Sequence, residues 1–283
     1  MSSEKLAVLG LGMIGGSVAA AARSRRVGTP VLGWDPSPEV CSKAVLLGLV
    51  DAIASTPEEA VSGATLVVAA CPVPQVAPLL EGISTKVQPG TLLTDVGSTK
   101  HSIVKGLKGR IPPGIEYLGS HPLAGSEKSG PAHADPGLFE GRIVALCPEK
   151  SSSADSASRL GVFWQSLGAT IVSCPADRHD LLLSLTSHLP HLLAYLLASM
   201  PDEEHAPYLA GGFRDMTRLA GSSPPLWMGI FQDNREELLA RANEFRTLLD
   251  RAISALQQPG DPWGDLKSLM DQGWKMRTSW QAH

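Results

Sequence analysis

Up to about position 174, short apolar, β-rich runs alternate with stretches of helical spacing. "KLAVLG" (5–10) predicts a strand and 13–26 a helix; "PVLGWD" (30–35) predicts a second strand, with a helix over 37–48. "ATLVVAAC" (64–71), "GTLLTDVG" (90–97), "IEYLGSHP" (115–122), "GRIVALCP" (141–148) and "ATIVSC" (169–174) continue the series. Strands alternating with helices predict an α/β fold with a doubly wound parallel sheet. From about 176 the pattern turns helical. "ADRHDLLLSLTSHLPHLLAYLLASM" predicts one long helix, open to a kink at Pro190, and Gly and Pro pairs separate the helical stretches that follow. The reading is a sheet domain over 1–174 and an all-helical domain over 175–283. "EKSSSADSAS" (149–158) is expected as a surface loop leading into a helix.

Composition narrows this picture little. The chain has 283 residues, 43 % hydrophobic and 18 % charged, enough for a sizeable core. A formal net charge of −4 gives no reason to expect nucleic acid or an acidic membrane as partner. Cys41, Cys71, Cys147 and Cys174 are dispersed and form no CxxC, so reduced thiols in a cytoplasmic protein are expected, with no metal site. No apolar run is expected to reach the ~18 residues of a membrane span. The N-terminus enters a strand directly, so no signal peptide is expected.

Candidate chemistry starts at "GLGMIGG" (10–16), where Gly10-x-Gly12-x-x-Gly15 follows the first strand and opens a helix. Gly10 permits a tight turn, Gly12 a close approach of backbone to a pyrophosphate, and Gly15 packing of helix on strand. The free amides of the helix start, at Met13 and Ile14, suit phosphate. Asp35 ends the second strand, where a carboxylate accepts from ribose hydroxyls and repels a 2′-phosphate, favouring NAD over NADP. Ser98 and Lys100 follow one later strand, and His121 and Glu127 another. Ser98 also reads as a possible helix N-cap and His121 as an ordinary loop histidine. Asp180, His188 and His191 share the long helix; eleven residues, about three turns and ~16 Å, put Asp180 and His191 on nearly one face. Arg214 and Arg218 lie four apart. Two histidines around a helical proline suit a pocket wall better than a solvated surface.

"GLGMIGGS", "DVGSTK", "SHPLAGSEKSG", "SHLPH" and "GGFRDMTRLAGSSPPLW" occur in the order and spacing of the prephenate/arogenate dehydrogenases of tyrosine biosynthesis. The chain resembles that family over roughly 5–250. The resemblance implies a Rossmann domain that binds NAD and a helical domain that dimerises and completes the site. It implies His121 as catalytic histidine, with Ser98 orienting it and the nicotinamide. His191 and Arg218 become carboxylate binders, Glu127 and Arg214 a polar pair at the pocket mouth, and Trp227 a residue contributed across a homodimer. His188 reads equally as a ligand or a structural hydrogen-bonder, and Asp180 as a support. No chorismate mutase segment and no regulatory ACT-like domain are expected. A β-hydroxyacid dehydrogenase would place a lysine on the helix at 176–200, which has none; a non-catalytic NAD-binding sensor would have no use for the whole polar set.

Overall fold

The computed structural model describes residues 5–125, 128–258 and 263–280. Among the described residues, nine strands run β1 Leu6–Leu9, β2 Val31–Trp34, β3 Ala52–Ile53, β4 Leu66–Ala69, β5 Leu92–Asp95, β6 Glu116–Tyr117, β7 Gly119–Pro122, β8 Ile143–Cys147 and β9 Thr170–Ser173. Helices α1 Met13–Arg25, α2 Pro38–Leu46, α3 Pro57–Ala60, α4 Val73–Ser84, α5 His101–Leu107 and α6 Ala154–Ser166 alternate with them. The first six strands form one parallel sheet in the order β3-β2-β1-β4-β5-β6, the dinucleotide-binding order with its reversal between β1 and β4. β1 and β4 are buried along their whole length, as central parallel strands with helices on both faces must be. Leu6 and Val8 join a core with Val18 and Trp164, while Ala7 and Leu9 face a second with Val67, Leu80 and Ile103. Ser37 caps α2 ahead of Pro38, and Ser153 caps α6.

Two features depart from the sequence reading. β3 is a two-residue strand with no apolar run to announce it. "IEYLGSHP" is two strands, not one. β6 closes the parallel sheet, Leu118 donates to the Leu93 carbonyl, and β7 then opens a second, three-stranded sheet. There β7 runs antiparallel to β8, and β8 runs parallel to β9. His121 therefore sits inside a strand, opposite Ala145, and not in a loop beyond the main sheet.

The continuous helical stretch Ala176–Ala198 comprises α7 Ala176–Leu183, a π-helical turn Ser184–His188 and α8 Leu189–Ala198. By length and composition alone it could cross a membrane, which corrects the expectation that no stretch would. Its polar groups His179, Asp180 and His188 are buried and hydrogen-bonded within the chain. α9 Gly211–Thr217 and α10 Pro224–Asp233 follow, α10 packing on α4. The chain divides into two compact units, Met1–Asn234 and Arg235–His283. The second holds α11 Arg235–Gln257 and α12 Trp263–Trp280, which pack together and are tied by Arg251 and Asp265 at 2.6 Å. It leaves Leu248, Leu249, Ile253, Trp274 and Met276 exposed.

Candidate active site

The glycine loop follows β1. Gly10 has a φ of +99°, and a Cβ there would lie 2.4 Å from the Ala70 carbonyl oxygen; only glycine fits. A Cβ on Gly15 would lie 1.9 Å from the Gly10 oxygen, so α1 can approach β1 only with glycine there. Gly12 is different. It is the N-cap of α1, no side chain caps the helix, and a Cβ would meet nothing within 4 Å. Open space at the start of α1, where the Met13 and Ile14 amides lie, fits the diphosphate of a dinucleotide. Asp35 accepts from the Leu11 and Ser37 amides, both at 2.9 Å. One bond per oxygen pins the glycine loop and leaves lone pairs for ribose hydroxyls. Gly125, four residues past His121, approaches the side chains of Met13 and Ile14, so the histidine's loop passes over the start of α1.

A buried polar scaffold supports His121. Lys100 and Asp95 are fully buried and form an ion pair; Lys100 Nζ also donates to the Ser120 carbonyl at 3.0 Å. Asp95 accepts in addition from Tyr117 Oη and the Gly97 amide, each at 2.7 Å. The pair thus fastens the loop bearing Ser98 to the strand residue before His121. Ser98 is half-buried and hydrogen-bonds to nothing among the described residues. It does not cap α5. That task falls to Asp180, which accepts from the Lys100 and His101 amides at 2.9 Å each.

His121 is 8 % exposed. Its Nδ1 lies 2.9 Å from His179 Nε2, and His179 Nδ1 lies 2.7 Å from Asp180 Oδ1. Burial first, then the His179, Lys100 and His188 charges, hold the His121 pKa well below the ordinary 6.5. Burial opposes ionisation of Asp180, but hydrogen bonds from His179 and the two amides outweigh it and lower its pKa. Asp180 is therefore an anion at neutral pH.

Asn234 Nδ2 donates to the Asp180 carbonyl at 2.9 Å and to His188 Nδ1 at 3.0 Å. His188 Nε2 consequently carries its proton, and that buried donor has no partner. Burial brings its pKa down to about 4 against the pull of Asp180. The π turn lies just ahead of Pro190, and the Ser187 carbonyl accepts from His191 Nδ1 at 2.9 Å. A π turn takes in an extra residue and shifts the helical phase by roughly 100°. Asp180 and His191 accordingly do not share a face: Asp180 holds α5, while His191 stacks on Trp227 with centroids 3.4 Å apart.

Trp227 packs within the same cluster. Its indole is 8 % exposed, stacked on His191 and edge-on to His188 of its own chain. Arg218 stands close enough to His191 to lower its pKa, after burial. It is exposed and makes no hydrogen bond or ion pair among the described residues. Arg214 is exposed and donates to the Leu209 carbonyl at 3.1 Å. Arg218 starts a 3-10 turn past the end of α9, so the two arginines do not continue one α-helical face. Glu127 lies outside the described residues. His179, Asp95 and Asn234 were not singled out in the sequence. "RHD" and "SHLPH" on one helix offered a signal for His179; nothing local marks Asn234.

The family model described as the prephenate dehydrogenase nucleotide-binding domain matches residues 18–173. That for the prephenate dehydrogenase dimerization domain matches 175–272. The chain is 33 % identical over 262 residues to a prephenate dehydrogenase of Bacillus subtilis (strain 168), covering 90 % of this chain and 71 % of the relative. It is 34 % identical over 266 residues to a cyclohexadienyl dehydrogenase of Zymomonas mobilis, covering 91 % and 90 %. The crystal structure of prephenate dehydrogenase from A. aeolicus in complex with hydroxyphenyl propionate and NAD+ superposes with a TM-score of 0.89 at 27 % identity, covering 99 % of both chains. This chain belongs to the prephenate dehydrogenase family.

Proposed function

We propose that the protein catalyses the NAD-dependent oxidative decarboxylation of prephenate to 4-hydroxyphenylpyruvate, a step in tyrosine biosynthesis. The observation that carries this is a buried histidine, held neutral, in a polar run that ends at an unpaired arginine. Prephenate presents a ring hydroxyl for the first and carboxylates for the second. When bound at the glycine loop, NAD+ accepts the hydride from the hydroxyl-bearing carbon. His121 takes the hydroxyl proton, and Ser98 holds the hydroxyl and the nicotinamide in place. The ring carboxylate leaves as CO2 as the ring becomes aromatic, and the phenolate formed recovers the proton from His121. Arg218 and His191 hold carboxylate, Arg218 through its planar fork. His188 Nε2–H supplies a further donor, with Arg214 at the pocket mouth. Gly10, Gly12, Met13, Ile14, Gly15 and Asp35 hold the cofactor.

We assign the cofactor to residues 1–174 and substrate binding with homodimerisation to 175–283. The break between the two family matches, at 173 and 175, supports that division. The protein works in the cytoplasm and needs neither nucleic acid nor a membrane. The 34 % identity to a cyclohexadienyl dehydrogenase favours arogenate as second substrate. Initial rates with prephenate and arogenate, each with NAD and NADP, test the reading; prephenate with NAD is expected to be fastest. Arg218→Ala should raise the KM for prephenate about tenfold or more, the worth of a hydrogen bond to a charged group, with NAD affinity unchanged. A native KM would remove Arg218 from the site.

A further inference from the structure

His179 lies outside the motifs quoted from the sequence and is 1 % exposed between His121 and Asp180. We propose that His179 is a positioning residue that, with Asp180, fixes the tautomer of His121 so that Nε2 is the atom that takes the substrate's proton.

The argument runs outward from an acceptor. Ionised Asp180 can only accept, so His179 Nδ1, at 2.7 Å, donates to it. His179 Nε2 is then the acceptor facing His121 Nδ1 at 2.9 Å, and Nδ1 of His121 carries the proton. The lone pair of His121 falls on Nε2. Of the two tautomers of a free imidazole, only this one leaves Nε2 as a base. When His121 Nε2 gains the proton, the imidazolium keeps its Nδ1–H pointed at His179 and, through it, at the Asp180 anion. No bond is broken in the scaffold during the transfer.

Asp180 is itself held rigidly. Its carboxylate caps α5 through the Lys100 and His101 amides, and its carbonyl accepts from Asn234. The same anion thus sets the start of α5, beside the Ser98 loop, and the orientation of His121. The charged and titratable groups around His121 are His179 and, through it, Asp180 on α7, Lys100 ahead of α5, and His188 on the π turn. Lys100 is occupied by Asp95 and the Ser120 carbonyl, and His188 Nδ1 by Asn234, so neither competes for His121 Nδ1.

This inference rests on His121 as the base, and its first test does not depend on turnover. Long-range 1H–15N spectra of 15N-histidine-labelled protein, with the His121 signals assigned by their loss in His121→Asn, should show Nδ1 protonated and Nε2 bare above the acid limb. A protonated Nε2 would overturn the proposal whether or not the enzyme is active. His179→Phe keeps a planar ring but offers no acceptor. It should mix the two tautomers, displace the acid limb of kcat/KM, and cut kcat about 10²-fold, less than the 10⁴ lost when a triad's buried carboxylate is changed. KM for prephenate should stay within about threefold of native. His179→Gln keeps an acceptor towards His121 and a donor towards Asp180, and should restore most of kcat and the native acid limb. A His179→Phe variant with kcat within twofold of native and an unmoved acid limb would also overturn it. Should that variant fail to fold, the native spectrum and the Gln variant decide. Full turnover in His121→Asn, by contrast, would sink the base assignment and not the tautomer.

Discussion

Above Gly12 the structure offers open space and backbone amides; around His121 it offers side chains drawn from four separate stretches. The first region needs only that a strand, a turn and a helix follow one another within ten residues, with glycine where a Cβ would collide. The second needs Asp95, Lys100, His179, Asp180 and Asn234 brought together from positions up to 139 residues apart, each with its hydrogen bonds satisfied. Backbone binding of a diphosphate tolerates many side chains nearby. A base that must be neutral, desolvated and correctly oriented tolerates few. The two regions should therefore fail differently when disturbed.

The largest effect is expected at His121. His121→Asn keeps the size and some hydrogen bonding but cannot take the proton, and should cut kcat by about 10²–10⁴, with NAD affinity close to native. The pH profile supplies the sign. The base must be unprotonated, and burial first, then His179, Lys100 and His188 beside it, lowers its pKa below 6.5. The acid limb of kcat/KM should therefore lie below pH 6.5, and activity should persist into mildly acidic solution. A limb above 6.5, or a variant retaining a tenth of native kcat, would assign the base elsewhere. Equal loss of NAD affinity would erase the contrast between the two regions.

Next in size is the scaffold beneath the histidine. Lys100→Met removes the cation from a fully buried pair and leaves the Asp95 carboxylate facing only Tyr117 and the Gly97 amide. Breaking such a pair costs about 3–5 kcal/mol, to be read as a lower midpoint in urea unfolding. Restoring charge balance with Asp95→Asn in the same chain should recover part of the loss. A single variant within about 1 kcal/mol of native would mean that the pair does not hold the Ser98 loop to the His121 strand.

This scaffold is also where reading from sequence stopped. "GLGMIGG" after a strand, the acidic end of β2 and the change to helix near 174 are all local patterns, and each could be read directly. The break of "IEYLGSHP" into strands of two sheets could not, because the run is extended throughout and only the partner strands differ. Ser98 and His121 were legible as polar residues after strands. His179 was not, since beside Asp180 it reads as one more polar residue on a helix, and its worth lies in a contact with a strand 58 residues earlier. The π turn was equally hidden: Pro190 suggested a disturbance, but the phase shift that separates Asp180 from His191 has no signature in spacing.

The smallest expected effect sharpens the other side of the comparison, because two glycines of one loop should behave oppositely. Gly12 has a φ of −65°, ordinary for any residue, and its Cβ would meet no protein atom within 4 Å. Gly12→Ala should thus leave the unfolding midpoint within about 0.5 kcal/mol of native. The added methyl would occupy the space that a diphosphate must enter to reach the Met13 and Ile14 amides. NAD affinity should fall about tenfold, or ~1.4 kcal/mol, measured by titration of cofactor without substrate. Gly15→Ala instead drives a methyl to 1.9 Å from the Gly10 oxygen, so α1 must move off β1 and stability must fall with affinity. A loop in which both substitutions cost stability alike would be a packing turn. One in which Gly12→Ala loses cofactor alone binds through its backbone, while the histidine region works through its side chains.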